Sequence, residues 1–96
     1  MADVRLTPAA LRDLENIWNY TTQQWGEEQA IRYLDALNTG FEALAVTPLS
    51  GSTCEHIRAG YRRLRVERHS LYYRIESTLV IVVRVLHERM DVPRHL

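Results

Sequence analysis

Twelve arginines and no lysine make up the basic complement of this 96-residue chain, so any contact it makes with an anion through a permanently charged side chain must use guanidinium. Guanidinium stays charged and meets carboxylate or phosphate as a planar fork. The arginines are unevenly placed. Residues 1–57 hold Arg5, Arg12 and Arg32 against eight carboxylates, whereas residues 58–96 hold nine arginines against Glu67, Glu76, Glu88 and Asp91. The formal net charge of zero therefore conceals an acidic half joined to a basic half. In the basic half, Arg58, Arg63, Arg65 and Arg74 are interleaved with Tyr61, Tyr72 and Tyr73, a mixture that suits an acidic protein segment or a phosphate backbone. Arg84 interrupts an apolar run that closes in His87, Arg89 and Met90. Arg65, Arg74, Arg84 and His87 have the residue types of phosphate clamps and a general acid.

Other chemistries lack their residues. Cys54, His56, His69 and His87 are scattered, and one cysteine falls short of the clustered ligands of a metal site, so no metal or cofactor is expected. There is no Ser-His-Asp or Cys-His signature and no glycine-rich phosphate loop. A single cysteine agrees with a reducing compartment, no apolar run approaches the ~20 residues of a membrane span, and MADVRLTPAAL lacks the pattern of a signal peptide. The chain reads as cytoplasmic. Its length fits one domain over residues 1–96, burying roughly 65% of its unfolded surface.

The elements that must position these side chains follow from periodicity. Asp3 to Leu6 alternates as a short strand. Thr7 and Pro8 form a helix start, and Leu11, Leu14, Ile17, Trp18, Thr21 and Trp25 recur as one stripe of a helix that Gly26 stops. Glu27 and Glu28 open a second helix with the stripe Ala30, Ile31, Leu34, Leu37, Phe41, Leu44 and Ala45, ended by Pro48. Trp18, Trp25, Tyr33 and Phe41 read as core. Gly40, costing about 1 kcal/mol inside a helix, predicts close packing there. Residues 49–56 read as loop. From Gly60 the period becomes two, with Leu64 and Val66 opposite Tyr61, Arg63 and Arg65, then Leu71, Tyr73 and Ile75 opposite Tyr72 and Arg74. Leu79 to Leu86 reads as an interior strand covered on both faces, with Arg84 needing either solvent or a partner such as Glu88 or Asp91. The last residues are too polar for core and read as a tail or a short helix interrupted by Pro93. The fold class is α+β: an N-terminal strand and an antiparallel helical hairpin packed on an antiparallel sheet completed by a three-stranded meander.

Many short matches then agree along the chain. Leu6-Thr7-Pro8-Ala9-Ala10, Asp13-Leu14, Ile17-Trp18, Tyr20, Trp25-Gly26, Ala30, Tyr33-Leu34, Leu44-Ala45, Pro48 and Gly51 occur in order. Arg58-Ala59-Gly60-Tyr61-Arg62, Tyr72-Tyr73-Arg74 and the ending Arg84-Val85-Leu86-His87-Glu88-Arg89-Met90-Asp91 follow. The whole resembles the ParE branch of the RelE/ParE toxin superfamily.

That resemblance implies the toxin of a type II toxin–antitoxin system: a non-enzymatic protein that inhibits DNA gyrase by stabilising its cleaved-DNA state, and that a ParD-like antitoxin neutralises. Under this reading Arg84, His87, Arg89 and Met90 engage the target, while Arg58, Arg63, Arg65, Tyr73 and Arg74 contact the antitoxin. No membrane partner and no sequence-specific nucleic-acid binding are expected. The RelE branch offers an alternative, ribosome-dependent cleavage of messenger RNA. Against it, the chain has no lysine, and no Tyr or Phe follows His87 to stack a base or donate a proton. A third reading is a relic that binds antitoxin without toxicity.

Overall fold

The computed structural model describes residues 1–96. Strand β1 (Asp3–Leu6) leads into helices α1 (Pro8–Trp25) and α2 (Glu27–Val46), a 3-10 turn at Pro48–Ser50, strands β2 (Ser52–Thr53), β3 (Arg62–Val66), β4 (His69–Glu76) and β5 (Leu79–His87), and a second 3-10 turn at Val92–Arg94. The five strands form one sheet in the order β1-β5-β4-β3-β2. All neighbours are antiparallel except β1, which runs parallel to β5 and makes the sheet mixed rather than antiparallel throughout. The helical hairpin between β1 and the meander carries the chain back to the start of the sheet, which permits that parallel pairing. The short β2, inside the stretch expected to be loop, was invisible to periodicity because two residues carry no period.

Each helix begins and ends for a local reason. The Thr7 hydroxyl accepts from Ala10 N–H at 3.1 Å, capping α1, and donates to the Val83 carbonyl at 2.7 Å, so one side chain caps the helix and ties it to β5. Gly26, at φ 91°, turns the chain from α1 directly into α2, a conformation that a side chain would strain. The inward face of α1 is Ala10, Asp13, Ile17 and Thr21, one position away from part of the expected stripe. Leu11 and Trp25, both assigned to the core by spacing, are exposed, Trp25 to 72%. Trp25 lies at the hairpin joint, where the sheet no longer covers the helix.

The main core lies between the hairpin and the sheet, where Ala10, Ile17, Leu37, Leu44, Leu71, Tyr73, Val80, Val82 and Val85 pack together. The close approach expected at Gly40 is present: a Cβ there would lie 2.7 Å from Val66 Cγ2 and 3.1 Å from Leu71 Cδ1. A second, smaller core covers the outer face of the sheet. Cys54, Tyr61, Tyr72 and Leu86 are buried there beneath Ile57, Val92 and Leu96. The tail is thus not merely polar surface, since Val92 and Leu96 spend their apolar area closing that face.

β5 pairs with β1 only through Val82, which leaves its second half without a strand on that side. Its polar edge is satisfied by α1. Thr7 N–H donates to the Val82 carbonyl at 3.0 Å, Thr7 Oγ1 to that of Val83, and Val85 N–H donates to the Asp13 carboxylate at 2.9 Å. β5 also carries one extra residue, with Tyr72 opposite Arg84 and Tyr73 opposite Val82. No helix is long and apolar enough to cross a membrane.

Candidate functional site

A cleft of about 910 Å³ lies on the helix-bearing side at the hairpin joint. α1 contributes Ile17, Tyr20, Thr21 and Trp25; α2 contributes Tyr33; the β3–β4 turn brings Arg68; the strand ends bring His69, Val85 and His87; the tail brings Arg89 and Met90. Three of the four residues expected to engage a target, His87, Arg89 and Met90, therefore converge. The aromatic wall was not anticipated in this role: Tyr20 is 63% exposed, and with Trp25 and Met90 it supplies apolar contact area beside cationic groups. Aromatic residues, Met and Arg are the types enriched at protein interfaces. The missed signal is Trp25 immediately before Gly26, a large apolar residue at a joint that nothing can cover.

A hydrogen-bond network shapes the floor. Tyr33 Oη accepts from Arg68 N–H at 3.1 Å and lies 2.6 Å from His69 Nδ1. Burial raises the Tyr33 pKa, so the hydroxyl keeps its proton. His69 is pushed down to about 4, first by burial and then by the neighbouring His87, and is neutral at physiological pH. The two imidazoles meet edge to face at 5.0 Å, and His87 Nδ1 accepts from Arg89 N–H at 3.1 Å.

Arg84, the fourth expected target residue, is placed elsewhere. Its Nε and one Nη bond the two oxygens of Asp13 at 2.8 Å each, and its other Nη reaches the His95 carbonyl at 3.1 Å. It ties the tail to the sheet through a backbone carbonyl and takes its carboxylate partner from α1, not from Glu88 or Asp91. The bidentate pair also raises the Arg84 pKa, chiefly through those hydrogen bonds. Both members are largely buried, and the remaining Arg84 Nη is taken by His95, so Arg84 is a structural hub.

The expected antitoxin residues divide. Register places Arg63 opposite Tyr72 and Arg65 opposite Ser70, so Arg63, Arg65 and Arg74 share the outer sheet face with Tyr61 and Tyr72. Arg58 stands over the Tyr61 ring at 5.3 Å. Arg65 pairs with Glu88 and Arg74 with Glu76, while Arg63 is exposed and without a carboxylate. Tyr73 does not belong with them. It is fully buried on the opposite face, where its hydroxyl donates to the Pro48 carbonyl at 2.6 Å and accepts from Gly51 N–H at 3.1 Å. Strand alternation puts Tyr73 with Leu71 and Ile75 and sends Tyr72 and Arg74 the other way. Cys54 is buried, and burial raises its thiol pKa, which makes it a packing residue.

A helical hairpin packed on one face of a small sheet is a fold found in solved bacterial toxin–antitoxin assemblies. Two solved structures share it: the chromosomal ParDE toxin–antitoxin system from P. aeruginosa, with a TM-score of 0.80 at 20% identity over 91% of this chain and 96% of that one, and the toxin–antitoxin complex RelBE2 from Mycobacterium tuberculosis, with a TM-score of 0.67 at 27% identity over 90% of each. The first likeness shows the fold alone. The sequence carries the assignment further. Residues 4–92 match the family model described as ParE toxin of type II toxin-antitoxin system, parDE. Toxin ParE1 of Mycobacterium tuberculosis is 47% identical over 92 residues, covering 95% of this chain and 94% of that protein. Toxin ParE1 of Caulobacter vibrioides is 41% identical over 96 residues, covering 100% and 99%. The chain belongs to the ParE toxin family of type II toxin–antitoxin systems.

Proposed function

We propose that this ParE-family toxin inhibits DNA gyrase and is neutralised by a ParD-like antitoxin. The observation that carries the reading is the convergence of His87, Arg89 and Met90 with exposed Tyr20 and Trp25 around one open cleft. Such a surface, with exposed aromatic and Met side chains beside cationic groups, suits a protein target. The exposed arginines of the outer face, Arg63 above all, suit an antitoxin segment that carries carboxylates and orders as it binds. Arg58, Arg65 and Arg74 extend that surface. The family model names the parDE pair and one structural neighbour is a toxin–antitoxin complex, which supports an antitoxin as the partner.

The ribonuclease alternative is disfavoured by the placement of one of its expected phosphate clamps: the Arg84 guanidinium is taken up by the Asp13 carboxylate and the His95 carbonyl. Purified toxin is expected to inhibit supercoiling by gyrase and to accumulate cleaved DNA, with translated messages left intact in a parallel translation assay. Normal supercoiling together with codon-positioned cuts would reverse the assignment. Growth without arrest on expression, with antitoxin still bound, would instead identify the relic.

A further inference from the structure

We propose that Tyr33 is a positioning residue for the target-engaging end of the chain, acting through His69 and His87. The inference rests on reading the cleft as the target-binding site. Tyr33 comes from the middle of α2, far in sequence from residues 88–90, yet both contacts of its hydroxyl are made at the cleft.

The phenol accepts from Arg68 N–H and lies 2.6 Å from His69 Nδ1, and the proposal assigns its one proton to that nitrogen. His69 is thereby held as the tautomer with hydrogen on Nε2, and its ring plane is set. The ring stands edge to face against Tyr33 at 5.4 Å and against His87 at 5.0 Å. His87 Nδ1 in turn accepts from Arg89 N–H. The other contact of Tyr33 works in parallel. Arg68, whose N–H it holds, accepts Glu88 N–H on its carbonyl at 2.8 Å, and the Glu88 carboxylate pairs with Arg65 and Arg68. Two routes thus run from one hydroxyl to residues 88–89, directly before Met90. A phenylalanine would fill the same space, so the hydroxyl, not the ring, carries the positioning role.

The test compares wild-type toxin with Tyr33→Phe in a gyrase supercoiling assay and in long-range ¹H–¹⁵N spectra of the histidine rings at pH 7. The expected result is an inhibition midpoint at least tenfold higher for Tyr33→Phe, loss of the single Nε2–H tautomer of His69, and a shifted Arg89 amide resonance, with far-UV circular dichroism unchanged. Should Tyr33→Phe fail to fold, His69→Phe, which keeps an aromatic edge but no acceptor, carries the same inhibition and Arg89 expectations. Wild-type potency in the variant overturns the proposal. So does lost potency with the His69 tautomer and the Arg89 amide unmoved, since Tyr33 would then touch the target directly. If wild-type toxin leaves gyrase unaffected, the gyrase reading fails by itself, and the spectra still decide whether Tyr33 positions residues 88–90.

Discussion

Asp13 and Arg84 lie 71 residues apart in sequence and are joined by two hydrogen bonds of 2.8 Å each, with the Val85 N–H as a third donor to the same carboxylate at 2.9 Å. One acid on α1 thus satisfies both the guanidinium and the open backbone edge of β5. Removing it leaves a partly buried guanidinium without its carboxylate and the Val85 N–H without an acceptor. Asp13→Ala is expected to cost about 3–5 kcal/mol, as broken buried pairs do. Asp13→Leu combined with Arg84→Met should recover much of that loss. Urea denaturation checks both, and a loss below 1 kcal/mol in the single variant would contradict the hub assignment.

Stability should fall on acidification because of His69. Its pKa is about 4 in the folded chain against an ordinary 6.5. Between those values the unfolded chain binds more protons, so the contribution is fully present above pH 6.5 and is lost as pH falls toward 4. Partial exposure reduces the effect to about 1–2 kcal/mol. Replacing His69 by Phe should flatten the profile of unfolding free energy over that window; an unchanged slope would show that other groups govern it.

Tyr73→Phe should destabilise the fold by about 1–2 kcal/mol, because the Gly51 N–H loses its acceptor while the ring still fills the core. Antitoxin affinity, measured by calorimetry at a temperature where the variant is folded, should stay within twofold. A large affinity loss would restore Tyr73 to the partner surface.

Arg63→Glu together with Arg65→Glu should weaken antitoxin binding by at least tenfold, and more at low salt than at high, as befits exposed charges. The thermal midpoint should change little, since these side chains are on the surface. Equal affinity in both salts would remove the outer face from the antitoxin contact.

Gly40→Ala sets two effects against each other. Helix propensity favours alanine by about 1 kcal/mol, but overlap with Val66 on a strand costs about 1–3 kcal/mol. Net destabilisation is expected, and adding Val66→Ala should reverse its sign. Stabilisation by the single change would mean that β3 yields easily.

Much of this was legible in advance. The Thr7 cap, the Gly26 joint, the two helices and the three long strands follow from short-range rules, because capping, turn geometry and side-chain period act over a few residues. The charge segregation and the ordered matches from Leu6 to Asp91 pointed to the family for a similar reason: they are properties of residue types in order. Errors arose where several elements meet. Trp25 has the spacing of a core residue but lies beyond the sheet. Tyr73 and Tyr72 are adjacent in sequence, and alternation sends one into the core and the other beneath the tail.

By itself, then, the sequence determined which segments fold as helix or strand, where guanidinium is concentrated and which family the chain resembles. Tertiary structure alone decided that Arg84 is bound to Asp13, that Tyr33 reaches His69, and that Tyr20, Trp25, Arg89 and Met90 border one cleft. Periodicity says which residues of one element share a face. Which faces meet is settled only when the hairpin docks on the sheet and brings together groups that no local spacing relates.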